Sequence, residues 1–374
     1  MIDKYLHIVC LDTPYPTDYG GAFDTFYTLK WLSQLGVKIH LHCFEYGRGR
    51  QPELERYCYW VHYYPRKSGL NGVSFKIPYI VASRAEPELL NTLKRDRHPI
   101  LLEGIHTSYF LYNGALSKRK VILRLHNVEW KYYSELRKTT RSLPKKLYFA
   151  AETMLLKKYE KEIAPLVQTL AVSEADAATY RSLAVGAKAD YLPVFIPWDR
   201  VTSKEGMGSF CLYHGNLSVA ENEKAVEWLI HEIFSKTEIP FVIAGKRPSA
   251  WITKLVANTK NACLVADPSD SELGDLIEKA QVHILPSFNN TGIKLKLLHA
   301  LFRGRHCVVN PNMVEGTGLE ETCRIAADAE EFRSAVSELF QTPFTKEQIN
   351  SRERLLMSKY DNEKNARRLI ASIW

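Results

Sequence analysis

Two lysines, Lys294 and Lys296, stand where a short apolar strand and a polar turn give way to an amphipathic helix. The strand is read at Val282 to Leu285. Pro286-Ser287 and a turn holding Gly292 follow, and the helix ends at Gly304. The first backbone N–H groups of a helix have no partner within it, and the helix dipole favours negative charge at that end. Two ammonium groups beside such a terminus make a seat for a diphosphate. The same residues also compose an ordinary βα unit with solvated lysines, and both readings stay open on this stretch alone.

A second group of candidates lies near the other end of the chain. Gly20 and Gly21 close a loop between an apolar strand (Leu6 to Leu11) and a helix that begins near Ala22. Glycines at such a turn let the backbone approach a ligand, because no Cβ intervenes. Gly-Gly turns are common, and the spacing is not the G-x-G-x-x-G of a dinucleotide site. His106 and His126-Asn127 fall just past two further strands. Ligands of parallel sheets collect at such carboxyl ends. A histidine there also fits a ring satisfied by local backbone.

The run Gly292-Ile-Lys-Leu-Lys-Leu-Leu-His-Ala300, followed by Gly304-Arg-His-Cys-Val-Val309, resembles the donor-sugar motif of family-4 retaining glycosyltransferases of the GT-B fold. The closest branch reads G-T-R-L-K-I-L-E-A, then G-x-P-V-V. Lys294 stands at the arginine of that pattern. Thr291 and His299 stand where the wider family has two glutamates eight positions apart, one contacting the donor sugar and the other the ribose. The resemblance continues through Gly215-Asn-Leu-Ser218, with Asn222 in the next helix, and through Ala244-Gly-Lys-Arg-Pro-Ser249. It also includes His126-Asn-Val-Glu-Trp130 and Val172-Ser-Glu-Ala-Asp176. Asn216 replaces an arginine that grips the diphosphate in many members, so Lys294 is expected to take over that charge.

The resemblance implies an α/β protein of GT-B type, two Rossmann-like domains with parallel sheets facing across a cleft. It implies a retaining, metal-independent transferase, with a hexose as the expected sugar. That sugar would pass from a nucleoside diphosphate to a glycan or lipid-linked acceptor in surface polysaccharide biosynthesis, with no cofactor beyond the donor substrate. His126 becomes the catalytic candidate, near the donor sugar. Gly20, Gly21, Gly215, Asn216, Thr291, Gly292, Ile293 and Lys294 are the candidates for donor sugar or diphosphate. Lys246, Asp267 and His299 are those for the nucleotide. Asp267 and Asp270 are explained by caps and turns, and no metal site is expected. A catalytically weak relative that binds nucleotide or a protein partner is the alternative. An epimerase of the same fold would need carboxylate bases that the sequence does not supply.

The elements that must position these residues alternate regularly. Strands are read near residues 38–44, 59–64, 99–103, 121–126 and 169–172, then at 209–214, 241–244, 263–266, 282–285 and 306–310, with helices between most of them. Such alternation predicts largely parallel sheets covered on both faces. At 374 residues two domains are expected. Pro193, Pro197 and the polar, glycine-bearing run 201–208 place the boundary near residue 200. The expected domains are an acceptor domain over 1–200 and a donor domain over 201–354. Ser269 and Glu272 have the spacing of a helix capping box. One helix is expected from Lys346 to Trp374, its last part (about 355–374) packing back on the first domain.

Composition limits the partners. Hydrophobic content of 45% with 25% charged residues suits a soluble globular protein. No apolar run reaches the roughly 18 residues of a membrane span, and the N-terminus lacks the layout of a secretory signal. Seven scattered cysteines, none spaced C-x2-C, point to a reducing compartment. A cytoplasmic protein is expected. The net charge of +8 suits anionic partners. It concentrates in residues 131–161, where nine lysines and arginines face three glutamates among interleaved aromatic and aliphatic residues. Peripheral contact with the anionic inner face of the cell membrane is one use of such a segment. An amphipathic helix with one face in the core is the other, and nucleic acid is not expected.

Overall fold

Strands and helices alternate along the chain and gather into two parallel sheets in the computed structural model, which describes residues 3–140, 142–288 and 294–374. The first sheet comprises β1 (Lys4–Cys10), β2 (Val37–Glu45), β3 (Trp60–Pro65), β4 (Ile100–Glu103), β5 (Val121–Leu125), β6 (Gln168–Ala171) and β7 (Lys188–Tyr191). Their order is β3-β2-β1-β4-β5-β6-β7, with every pairing parallel. The second comprises β8 (Cys211–Asn216), β9 (Phe241–Lys246), β10 (Ala262–Ala266), β11 (Val282–Leu285), β12 (His306–Val309) and β13 (Arg324–Ile325). Its order is β10-β9-β8-β11-β12-β13, again all parallel. Both are Rossmann-like, and together they give the GT-B class of fold. Strand order reverses between β1 and β4 and between β8 and β11. Those reversals open a crevice at the carboxyl ends of the strands, where ligands of such sheets bind.

One compact unit holds residues 3–197 and 360–374; the other holds 198–288 and 294–359. Helices cover both faces of the first sheet, so its strands are buried nearly throughout. One of its cores joins Leu6, Ile8, Leu29, Leu32 and Ile122 to Ala366, Leu369 and Ile373 of the Asn362–Ile373 helix.

The expected single helix over 346–374 is two helices, Lys346–Tyr360 and Asn362–Ile373. Asp361 interrupts them. Its backbone is extended and its carboxylate accepts the Lys364 N–H at 3.0 Å, which makes it the N-cap of a new helix. Strand β13 was not expected either, and β7 ends at Tyr191, before Pro193 and Pro197, which read as bracketing the end of a strand. Both are short edge strands whose side chains are largely exposed, so neither carries the apolar run by which a buried parallel strand is read. The Ser269–Glu272 capping box is present as expected.

The basic segment forms two packed helices, Glu129–Thr139 and Leu143–Ile163. The longer one buries Glu152, Leu156, Tyr159, Glu160 and Ile163. Two of the three glutamates that offset its charge in sequence are therefore inside. Glu152 accepts the Tyr79 N–H and is pushed up to about 7 by burial; burial also drives Glu160 well above the carboxylate range. The outer face keeps its lysines and also exposes Leu143, Leu147 and Met154, each more than 70% accessible.

Candidate active site

In the first unit the candidates converge at the carboxyl ends of β1, β4 and β5. His126 follows β5, and its Nε2 lies 2.8 Å from Glu103 Oε2 at the end of β4 and 3.5 Å from Asp24 Oδ2. Asp24 is buried in the helix that begins at Gly20. It binds Arg124 through both oxygens (3.0 and 3.1 Å) and accepts the Phe195 N–H at 2.7 Å. Arg124 completes its donors on the Leu192 and Pro193 carbonyls. The imidazole is thus held between two carboxylates. Burial works against its charge, but the Glu103 hydrogen bond and the Glu103 and Asp24 charges outweigh burial and raise its pKa.

Gly21 has a steric reason to be glycine. A Cβ there would stand 2.8 Å from His126 Nδ1 and 3.0 Å from the Tyr19 ring. That Nδ1 is buried and has no hydrogen-bond partner among the described residues. His106, beyond β4, is half-buried; desolvation and the charges of Arg84, His126 and Arg66 keep it neutral. Arg84, held by the Leu11 and Ile80 carbonyls, and Arg66, 4.3 Å from the Tyr46 ring centre, make this end of the sheet positive. One ligand atom from each of Asp24, Glu103 and His126 lies within 4.8 Å of the others, which is metal-ligand spacing. Asp24 is already committed to Arg124 and a backbone N–H, so this trio is read as a charge network that sets the imidazole.

In the second unit the candidates gather where β8 and β11 part. Thr291, Gly292 and Ile293 lie outside the described residues. Lys294 immediately precedes the Leu295–Arg303 helix, and its Nζ donates to Ser287 Oγ at 3.1 Å. Ser287 follows β11. Its hydroxyl donates to Glu221 (2.8 Å), and its N–H and carbonyl are clamped by Asn310. Lys296 donates to Asn222 Oδ1 at 2.6 Å and to the Tyr213 hydroxyl at 3.1 Å. Burial depresses both lysines to about 8; the Glu221 carboxylate offsets this only in part, and for Lys296 the Lys294 charge adds to the depression. Two ammonium groups drawn out of water at one strand-to-helix junction are poised to gain from a bound anion.

Gly215 and Asn216 end β8 beside this pair. Asn222 donates to the Asn216 carbonyl at 2.8 Å, and a Cβ on Gly215 would meet Asn222 at 3.3 Å. The Asn216 side chain is turned to Ser218, accepting from its N–H and hydroxyl. Gly245 is tighter still: a Cβ there would fall 2.0 Å from the Gly215 carbonyl oxygen.

The remaining candidates are Lys246, Asp267 and His299. Lys246 is exposed at the end of β9. Asp267 follows β10 with φ 49°, and its carboxylate accepts the Arg247 N–H at 2.8 Å, bracing the turn between strands. β10 is two strands from β8, about 10 Å across the sheet. His299 packs between Trp198 (ring centres 4.9 Å) and His214 (5.9 Å), and burial lowers it to about 4. It is a neutral ring among aromatics.

Several residues of these two sites were not read from the sequence: Asp24, Glu103 and Arg124 in the first, and Tyr213, Glu221, Ser287 and Asn310 in the second. The available signal was charge inside strands: Glu103 and Arg124 interrupt two apolar runs, and a buried charge demands a partner.

Residues 209–342 match the family model described as Glycosyl transferases group 1. A Klebsiella pneumoniae protein described as an uncharacterized 44.6 kDa protein in cps region is 26% identical over 328 residues, covering 83% of this chain and 84% of that protein. Among solved structures, sucrose-phosphate synthase from Thermosynechococcus elongatus aligns with a TM-score of 0.71 at 12% identity, covering 98% of this chain and 97% of that one. Anabaena HepE, in complex with UDP and glucose, aligns at 0.67 and 8% identity, covering 99% and 98%. At such identities the structural likeness speaks for the fold.

Proposed function

We propose that the chain is a retaining glycosyltransferase. The second unit holds a nucleoside-diphosphate sugar, a hexose donor by resemblance, and the first unit presents a glycan or lipid-linked acceptor. The observation that carries this reading is the pair of half-buried, desolvated lysines at the β8/β11 reversal, within the stretch that matches the family model. Breaking the bond between sugar and diphosphate leaves negative charge on the phosphate. Lys294 and Lys296, released from their hydroxyl and amide partners, stabilise that charge where water is scarce. The acceptor oxygen bonds the anomeric carbon on the face the phosphate leaves, and the phosphate takes the acceptor proton, which gives retention without a carboxylate nucleophile or a metal. Lys246, Asp267 and His299 fit supporting places around the nucleotide better than contact with the phosphates.

His126 contributes a positively biased imidazole, fixed by Glu103 and Asp24, whose Nδ1 edge meets the Gly20-Gly21 turn. It sets the Gly20-Gly21 turn, whose backbone then faces substrate hydroxyls or phosphate oxygens. The relative in the cps region and the HepE complex support a surface polysaccharide context and a UDP-type donor. The test is nucleotide release from UDP-, GDP- and ADP-sugars, with the anomeric configuration of the product read by NMR. A product of inverted configuration refutes retention, and binding without release leaves a nucleotide-binding relative.

The exposed Leu143, Leu147 and Met154, spaced four and seven residues apart among Lys145, Lys146, Lys157 and Lys158, favour contact with an anionic membrane surface. No helix among the described residues is long and apolar enough to cross a bilayer.

A further inference from the structure

A second cluster of titratable groups lies in the first unit, at the opposite end of β4 from Glu103. His7 on β1 and His40 on β2 are direct register neighbours, and His42 on β2 pairs with His62 on β3. Alternate residues of a strand share a face, so four histidines lie on one face of three adjacent strands. His7 is also level with Ile100, the first residue of β4, and the segment just before β4 brings Asp96 and His98 over this face. His7 Nε2 stands 3.0 Å from both Asp96 oxygens. One ligand atom from each of His7, His40 and Asp96 lies within 4.8 Å of the other two. His40 is 7% exposed, and its buried Nε2 has no hydrogen-bond partner among the described residues.

We propose that His7, His40 and Asp96 form a binding site for a divalent transition-metal cation of the zinc type, tying β1, β2 and the segment before β4 together. Two imidazoles and a carboxylate are a borderline-soft donor set that suits this ion and leaves a fourth position for water or a further ligand. His98, whose Nε2 is 4.0 Å from Asp96 Oδ2, is the candidate for that position. The donors are ready at neutral pH. Burial lowers His7 and takes His40 to about 4, while hydrogen bonds from the His98 N–H and His7 outweigh burial to keep Asp96 ionised.

Outer partners hold the ligands as metal sites require. Arg119 is 3.4 Å from Asp96 Oδ1 and is itself fixed by the Leu93 and His98 carbonyls. His7 Nδ1 is 2.8 Å from His42 Nε2, and His42 Nδ1 is 3.0 Å from the Tyr64 hydroxyl. Without metal, His7 donates Nε2–H to Asp96, accepts from His42 Nε2–H, and Tyr64 donates to His42. When a cation takes the His7 Nε2 lone pair, each ring shifts its proton to Nδ1: His7 donates to His42, and His42 donates to the Tyr64 oxygen. Each ring keeps one proton, so the chain adapts without net loss of charge.

The test is a cobalt(II) titration of the metal-stripped, full-length protein, followed by visible ligand-field absorption and by Tm with zinc. One equivalent is expected, without thiolate charge-transfer bands. D96N and H40Q should lose the absorption and the Tm rise, while C263S and H126N retain both. D96N alters a partly exposed side chain and serves if H40Q fails to fold. No saturable equivalent in the wild type overturns the proposal. So does binding that survives D96N, or binding that H126N abolishes, which places the ion at Glu103 and Asp24.

Discussion

Lys294 and Lys296 carry the sharpest residue-scale consequence. Each has a pKa near 8 when no ligand is bound, against an ordinary 10.5. A bound diphosphate favours the charged lysines, so affinity for a nucleoside diphosphate should be full below pH 8 and fall as pH rises above it. Calorimetry in buffers of different ionisation heat should also show proton uptake on binding near pH 8. The unliganded protein has the opposite dependence. Between pH 8 and 10.5 the unfolded chain binds more protons at these lysines than the folded one, so stability rises with pH across that window. K296M should weaken diphosphate binding about ten- to a hundred-fold, the worth of one or two charge-assisted hydrogen bonds, with little change in Tm. G21A puts a Cβ against His126 and should lower kcat at least about ten-fold with nucleotide affinity retained. Lys294 was legible in sequence because strand, turn and charge are local. Glu221 and Tyr213 were not, because they reach the lysines from at least 73 residues away in the chain.

At the scale of elements, caps decide where helices begin. The Ser269–Glu272 box could be read because its signal is four residues long and both partners are polar. The break at Asp361 could not, because amphipathic residues continue on both sides and a single aspartate fits a helix surface as well as a cap. D361A should cost about 1 kcal/mol in urea unfolding, the usual worth of an N-cap; no loss shows that the cap is not what starts the last helix. The Leu143–Ile163 helix makes a second prediction. Its buried glutamates contribute less negative charge than their count suggests, so its outer face is more basic than the sequence states. Sedimentation with anionic vesicles should pull down the wild type and lose about 10-fold in partitioning for L147E/M154E, from lost apolar burial and added repulsion. Equal partitioning of both proteins argues for a purely structural helix.

At the scale of the molecule, alternation of strands and helices was enough to predict two parallel α/β units, because period and punctuation are properties of the chain itself. The order of strands was not in the pattern. It follows from crossovers that run outward in both directions from β1 and from β8, a path that the right-handed rule for parallel strands allows. Those reversals gather Asp24 with His126 and Glu103, and Lys296 with Tyr213 and Asn222, from separate segments. Side chains from distant strands are what sequence reading misses here, and the His7, His40 and Asp96 cluster shows the same limit. In the second unit, two desolvated lysines at the β8/β11 reversal are proposed to form a diphosphate site. The most direct measurement is the heat of binding of UDP, GDP and ADP to the purified protein, repeated on K294M/K296M. Saturable binding of at least one nucleotide, abolished or weakened a hundred-fold or more (~10²) in the double variant, is the predicted result; at 100 times Kd it should add about 2.7 kcal/mol of stability. No binding to any of the three, or equal binding by the variant, contradicts the account.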